Sequence, residues 1–393
     1  MILLDIGIAL FILSFIFLFW TFIGYPIFLY IYPKTPVSKN DYYPTVSIFI
    51  PTYNEGQSIR DRLENCLALD YPKDKLDIIV IDSGSTDNTS DIVRGYSSKG
   101  IRLLQQETRR GKASAINFAQ RNTDSEIFVV TDANAFFETN VIKKLVRNFS
   151  DPAIGGVVGD WNVANPGASY MSGGEVVTSS IERFLRGKEG EIDSIATFSG
   201  EISAYRNGVI KTVPENSLSE DFEMAIEIRR NGNRVIHEPM AKVYEKATTT
   251  AGDQYKKHKR TAIGTIQAIL RNKDLFNPRY GIFGMVILPS HKLFQIITPF
   301  SLIVSLLSFA LICIVDLTLA ELILASSLAL YIAAVAVISF AKTMQGEPIA
   351  SSLVKAVKVL PYFLYINLVV LLAWMDYAMR RYSLLWEKTE SSR

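Results

Sequence analysis

Two acidic tripeptides, Asp132-Ala133-Asn134 and Ser219-Glu220-Asp221, share one polar segment of this 393-residue chain, and apolar runs flank that segment on both sides. The first tripeptide closes the apolar run Ile127-Phe128-Val129-Val130. That sets Asp132 at the carboxyl edge of a buried strand, where open α/β sheets bind ligands. A carboxylate there, with an amide two residues on, offers oxygens to a Mg²⁺ or Mn²⁺ that neutralises a departing diphosphate. The second tripeptide opens an amphipathic helix, so Asp221 is a candidate general base facing the same cleft. Glu220 beside it complements the helix dipole, and an acidic pair raises the pKa of one member toward neutrality. Lys112 follows Gly111 at another helix start and can reach phosphates where the helix N-terminus also favours anions. Arg109 and Arg110 read as solvated cations. Together these groups suggest a metal-dependent sugar-transfer site held against a membrane.

The elements that must position them are short β-rich runs alternating with helical patterns, which argues a mostly parallel sheet with helices packed on it. Strands are expected at residues 46–50 (stopped by Pro51), 78–81, 101–104 and 127–130. A helix follows the first, from the spacing of Ile59, Leu63, Cys66 and Leu67. Polar residues end three of these strands at one sheet edge: Asn54 and Glu55, Asp82 and Ser83, Asp132 and Asn134. Farther on, a strand is expected at 157–161, a helix at 175–186, an extended run at 196–206, and helices at 220–230 and 255–270. Trp161 either stacks on an acceptor sugar or fills a half-buried structural place. His237 reads as a satisfied turn residue.

Hydropathy divides the chain into membrane, soluble and membrane parts. Residues 6–32, 293–315, 322–341 and 359–375 carry no charge and suit four spans, with the mostly apolar 280–288 lying in the interface. The expected organisation is a transmembrane helix at 1–33, a cytoplasmic catalytic domain at 34–278 and an interfacial segment at 279–292. About three further spans occupy 293–379 and a polar tail 380–393. Lys34, Lys39, Arg271, Lys273, Arg279 and Lys292 flank the first two spans and place the large segment in the cytoplasm of a cell-membrane protein. Arg380, Arg381, Lys388 and Arg393 oppose that rule if four spans are crossed. Cys66 and Cys313 fall in different compartments, which excludes a disulfide between them, and the net charge of +2 with a pI near 8.3 gives no nucleic-acid signature. Three histidines supply no hydrolase triad.

Pro51-Thr52-Tyr53-Asn54-Glu55 followed by Asp82-Ser83-Gly84-Ser85-Thr86-Asp87 resembles the opening of membrane-bound family 2 glycosyltransferases, the group containing poly-N-acetylglucosamine, hyaluronan and cellulose synthases. Gly111-Lys112-Ala113-Ser114-Ala115-Ile116-Asn117 resembles their Gly-Lys-x-x-Ala-x-Asn element, and Asp132-Ala133-Asn134 their metal-binding DxD. Ser199-Gly200 with Tyr205-Arg206 resembles their acceptor-side stretch, and Glu220-Asp221 the pair holding their catalytic base. The ordered match runs from about residue 44 to 275. The resemblance implies a GT-A type fold and an inverting transfer from a nucleotide-diphospho-sugar, a UDP-sugar above all, to a polysaccharide or lipid-linked acceptor hydroxyl. It implies nucleotide contacts from Pro51, Thr52, Tyr53, Glu55, Asp82 (to the uracil ring), Ser83, Lys112, Asp132 and Arg260. Acceptor contacts would come from Ser199, Gly200, Glu220 and Trp161, and the metal would sit on Asp132 with Asn134. Two departures stand out. Asn134 replaces the second Asp, and Lys257-His258-Lys259-Arg260-Thr261 lacks the Gln and Trp of QxxRW, which leaves Arg260 as its remaining phosphate ligand. Single-sugar transfer to a polyprenyl phosphate or glycolipid is the competing enzyme reading. A non-catalytic nucleotide-sugar-binding transporter or scaffold is the rival from another class.

Overall fold

The computed structural model describes residues 2–165, 170–198, 200–343 and 349–384. The chain opens with α1 (Ile2–Phe19), which runs through a π-helical turn at Trp20–Gly24 into α2 (Tyr25–Ile31). The soluble part then alternates: β1 (Val46–Thr52), α3 (Ile59–Leu67), β2 (Leu76–Ser83), α4 (Thr89–Arg94), β3 (Ile101–Gln106), α5 (Lys112–Gln120), β4 (Ile127–Val130), β5 (Phe136–Phe137) and α6 (Val141–Val146). Its second half holds β6 (Ile154–Val163), α7 (Tyr170–Ile192), β7 (Ser203–Arg206), α8 (Glu220–Arg230), β8 (Arg234–Glu245) and α9 (Ala251–Arg271). The apolar helices α10 (Phe294–Val315), α11 (Leu317–Thr343) and α12 (Ile349–Ala378) follow.

The eight strands form one mixed sheet in the order β3-β2-β1-β4-β7-β6-β8-β5. The β3-β2-β1-β4 half is wholly parallel, as the alternating pattern requires. β7 turns antiparallel between β4 and β6, β8 runs parallel to β6, and β5 closes the edge antiparallel. Because β-strand side chains alternate, β1 feeds two cores. Val46, Ile48 and Ile50 pack with Leu63, Val93 and Leu145 of α3, α4 and α6 on one face, while Phe49 packs with Ile116, Met224 and Ile228 of α5 and α8 on the other. On that second face Phe49, Phe128 and Tyr205 stack across β1, β4 and β7 at centroid distances of 5.1 and 5.0 Å. Each such pair contributes about 0.5–1.5 kcal/mol beyond its buried area. The ladder holds the parallel half against the antiparallel one.

Register sets the functional edge. Thr52 pairs with Asp82, Ser83 with Gln106 and Phe49 with Val130, so the carboxyl ends of β1, β2 and β4 finish side by side. Several elements differ from the sequence expectation. The helix expected at 175–186 extends over Tyr170–Ile192, and of the extended run at 196–206 only Ser203–Arg206 is strand. β8 continues through Pro239, because the ladder to β6 slips between Val158 and Asp160 and no donor is needed there.

Among the described residues three helices are long and apolar enough to cross a membrane: Ile2–Ile31, Phe283–Val315 and Leu360–Ala378; Leu317–Ile332 is a shorter apolar helix. The segment expected to lie flat at 279–292 largely continues the second of these. Sequence reading broke the span at His291 and Lys292, but both side chains are buried against Glu182, with His291 also against Glu189, so tertiary carboxylates neutralise the charges that hydropathy counted. Helix α9 packs its apolar face on α12 and the 283–288 turn, tying the soluble domain to the apolar helices. Cys66 and Cys313 are free thiols.

Candidate functional site

The aligned strand ends open into a cleft. Of the sequence-predicted residues, Pro51, Thr52, Tyr53, Glu55, Ser83, Lys112, Asp132, Glu220 and Arg260 line it. Two loops form one wall and are laced together by polar side chains. Asn54, in the left-handed region at φ 54°, takes the Thr86 N–H on its Oδ1 at 2.7 Å, and its own N–H donates to Ser85 Oγ at 2.8 Å. The Glu55 and Gly56 N–H groups donate to Thr89 Oγ1 at 2.8 Å and Asp87 Oδ2 at 3.1 Å. The turn-rich run 82–89 is therefore first a brace for the loop after β1.

That bracing corrects the expectation for Asp82. Its carboxylate is buried and takes the Ser85 N–H at 3.2 Å and the Ser90 hydroxyl at 2.5 Å, with the Ser85 hydroxyl as a further donor, so it does not reach the cleft lining. Ser83 does. Thr52 Oγ1 donates to the Ile81 carbonyl at 3.2 Å, and Glu55 is nearly buried, with Ser58 Oγ donating to it at 2.8 Å. Arg109, read as a solvated cation, lies 3.9 Å over the Tyr53 ring and lines the cleft; Arg110 points away to Glu215 at 3.1 Å. The sequence signal for Arg109 was the aromatic Tyr53 in the facing loop.

The charged centre is built on α5. Gly111, at φ 86°, makes the turn into the helix, a conformation glycine adopts without strain. Lys112 Nζ then sits 2.6 Å from Asp132 Oδ1 and 3.3 Å from Glu220 Oε1. Burial works against its charge, but Asp132, Glu220 and Asp221 outweigh that and hold the ammonium pKa above its ordinary value. Gly200 walls the other side: its carbonyl accepts from Lys112 Nζ at 3.4 Å, and a Cβ there would lie 3.1 Å from Nζ and 3.7 Å from Asp132 Oδ2. Ser199 lies outside the described residues.

Glu220, expected to complement the helix dipole and to contact the acceptor, lines the cleft; Asp221 follows it on α8, its Oδ1 accepting the Phe222 N–H at 2.8 Å. The helix turn swings consecutive side chains about 100° apart, so the two carboxylates point in different directions. Burial first and Glu220 second push the Asp221 carboxyl up to about 6, against the opposing pull of Lys112.

Asn134 is buried and donates its amide to Glu245 Oε1 at 2.7 Å. Burial, then Glu201, raises the Glu245 carboxyl to about 8. Glu245 closes β8, 111 residues from Asn134, and nothing in the local sequence announced it. Trp161 is half-buried under Lys257, whose Nζ is 5.3 Å from its ring, and does not line the cleft, which favours the structural alternative. His237 faces Asp160 at 3.7 Å, and Arg183 pairs with the same carboxylate at 2.5 Å. Arg260 lines the cleft with its buried Nε lacking a hydrogen-bond partner among the described residues.

Residues 47–213 match the model of Glycosyl transferase family 2. A probable glycosyltransferase, YdaM, of Bacillus subtilis (strain 168) is 29% identical over 238 residues, 58% of this chain and 57% of that protein. Poly-beta-1,6-N-acetyl-D-glucosamine synthase of Staphylococcus aureus (strain COL) is 24% identical over 244 residues, 61% of this chain and 59% of that protein. The matched region thus spans less than two thirds of either relative. Among solved structures, the mannosyltransferase PcManGT from Pyrobaculum calidifontis, in complex with GDP-Man and Mn²⁺, shares the fold at a TM-score of 0.72 and 24% identity, over 97% of this chain and 100% of that one. Residues 47–213 thus resemble a family 2 glycosyltransferase domain, and the fold is the GT-A fold shared with PcManGT.

Proposed function

We propose that this chain is an inverting, membrane-held transferase that moves a sugar from a nucleotide-diphospho-sugar to an acceptor hydroxyl. One observation carries the reading: Lys112 bridges Asp132 and Glu220 at the aligned strand ends, in the cleft that Arg109 and Arg260 also line. Thr52, Tyr53, Glu55 and Ser83 bound the nucleoside end. Arg109, Lys112 and Arg260 meet the diphosphate and stabilise its growing charge. Asp221 takes the proton of the acceptor hydroxyl, whose oxygen attacks the anomeric carbon from the face opposite the diphosphate, so the configuration inverts. A carboxyl titrating near 6 is ionised at neutral pH yet basic enough to receive that proton.

Among the described residues no three His, Cys, Asp or Glu side chains are arranged to hold a metal. Asp132, with the Asn134 side chain, would hold a Mg²⁺ or Mn²⁺, ions that bind one or two carboxylates together with substrate phosphates. When bound, the cation neutralises the leaving diphosphate. PcManGT, solved with GDP-Man and Mn²⁺, supports that donor class. The basic residues flanking the first two apolar helices favour a cytoplasmic domain at the cell membrane.

The acceptor is a growing polysaccharide or a lipid-linked sugar; the likeness to the poly-N-acetylglucosamine synthase supports the polymer. The test is nucleoside diphosphate release from a panel of UDP- and GDP-sugars by bilayer-reconstituted protein with Mg²⁺ or Mn²⁺. One donor should be consumed and chelation should abolish release. Product that lengthens with time supports the polymer, and a single-sugar extractable lipid the alternative. Release that persists in excess chelator would refute the metal assignment.

A further inference from the structure

A second buried ionic cluster, unused by the transfer reaction, lies where α2, α7 and the start of the 283–315 helix meet. Glu189 is fully buried; its Oε1 accepts the Tyr25 hydroxyl at 2.6 Å and faces His291 Nδ1 at 2.6 Å. The other ring nitrogen of His291 faces Glu182 Oε1 at 3.2 Å, which also accepts from Lys292 Nζ at 3.2 Å. Arg186 approaches Glu182 at 3.5 Å. Removing one partner from so buried a set of charges leaves the others uncompensated, so the cluster fixes one geometry or none.

The remaining oxygen of Glu189 shows which geometry. Its Oε2 accepts the Ala196 N–H at 3.1 Å. Ala196 begins the run that reaches Gly200 in four residues. Along it Phe198, buried against Tyr205 at 4.7 Å, locks the run to β7, and Gly200 ends it against Lys112 and Asp132. One carboxylate therefore binds the N-terminal apolar helix, the second apolar helix and the loop that walls the charged centre.

We propose that Glu189 is a positioning residue for glycosyl transfer: it ties the apolar helices to residues 196–198 and so sets the place of Gly200 beside Lys112 and Asp132. The proposal rests on the transferase reading above. A loop shift of about 1 Å at a reacting centre can lower turnover on the order of 100-fold. The nucleoside end, built on the loops after β1 and β2, lies outside the tie and keeps its affinity.

The test uses full-length protein in bilayers, with UDP-N-acetylglucosamine and GDP-mannose as donors and UDP and GDP as binding probes. Glu189→Ala should lower kcat about 10–100-fold while nucleotide Kd stays within about 3-fold. Glu189→Gln, whose amide oxygen can still accept from Ala196 N–H and whose NH₂ can face a neutral His291, should retain kcat within about 3-fold. Hydrogen exchange at the Ala196 amide should quicken in the Ala variant and not in the Gln variant, a readout that holds even if neither donor is turned over. Should Glu189→Ala fail to fold, Tyr25→Phe removes one donor to the same carboxylate and should give the same signs at about 2–5-fold. Wild-type kcat with unchanged Ala196 exchange, or nucleotide affinity falling in step with kcat, would overturn the tie. An inactive wild type with Ala196 protection dependent on Glu189 would instead count against the transferase reading.

Discussion

Replacing Lys112 by Met keeps most of the side-chain volume and deletes the charge that Asp132 and Glu220 share. At an effective dielectric of about 20, unit charges at the observed 2.6 and 3.3 Å attract by roughly 6 and 5 kcal/mol. Those gross terms are offset by desolvation of the ions, and removing one partner of a buried pair costs about 3–5 kcal/mol net. Asp132 keeps 24% of its side-chain surface in water, so the lower end, about 3 kcal/mol, applies. For a domain of this size that lowers the apparent Tm by about 6–12 °C without divalent cation. Mn²⁺ with UDP or GDP should then restore more of the Tm in Lys112→Met than it adds to wild type, because the cation relieves carboxylates that Lys112 otherwise serves. Thermal melts of the bilayer-reconstituted proteins, with and without Mn²⁺ and nucleotide, measure both quantities. A variant melting within about 1 °C of wild type in chelator would show that the ammonium does not neutralise this centre.

Other outcomes follow from the same geometry. Asp221→Asn should lower kcat by about 10²–10⁴ while nucleotide affinity, measured calorimetrically, stays within about 3-fold; Glu220→Gln should lose far less. Because the base must be ionised and its carboxyl is held up to about 6, wild-type kcat/KM should fall as pH drops below about 6 and level off above it. Glu220→Gln removes the second cause of that elevation, so the acidic limb should move to lower pH in a pH–rate profile. Arg109→Ala, which strips the guanidinium from the Tyr53 face, should raise donor KM about 5-fold with little change in kcat. Gly264→Ala would set a Cβ 2.2 Å from Ser219 Oγ and 3.1 Å from the Leu218 carbonyl carbon, so α9 must lift from the start of α8. A Tm lowered by about 2–12 °C, together with reduced turnover, is expected.

The parallel half of the sheet was legible because β1, β2 and β4 are runs rich in β-branched residues ended by polar ones, and register then aligned those ends. What escaped the sequence depended on contacts between distant segments. Asp82 has the residue type and position of a ligand, but the serines of its own loop and of α4 claim its carboxylate. Arg109 looked solvated because its platform, Tyr53, stands 56 residues earlier in the chain. Pro239 lies inside β8, where the ladder to β6 slips and no donor is required. The charges of His291 and Lys292 marked a helix boundary until carboxylates from α7 neutralised them.

That last case and the cleft obey one rule. In both, a cation beside two carboxylates lets an acidic pair persist, and the difference lies in what each faces: Glu189 is fully buried, whereas Lys112, Asp132 and Glu220 line the cleft. Glu189 spends both oxygens on protein donors, which suits a fixed joint. In the cleft, Lys112 is shared between Asp132 and Glu220 while the buried Nε of Arg260 has no hydrogen-bond partner among the described residues. Asp132 with Asn134 would hold a divalent cation, which would neutralise the leaving diphosphate, while Lys112 and Arg260 would donate to the phosphate oxygens. The donor and cation should therefore bind with mutual dependence, each raising the other's affinity by the same factor.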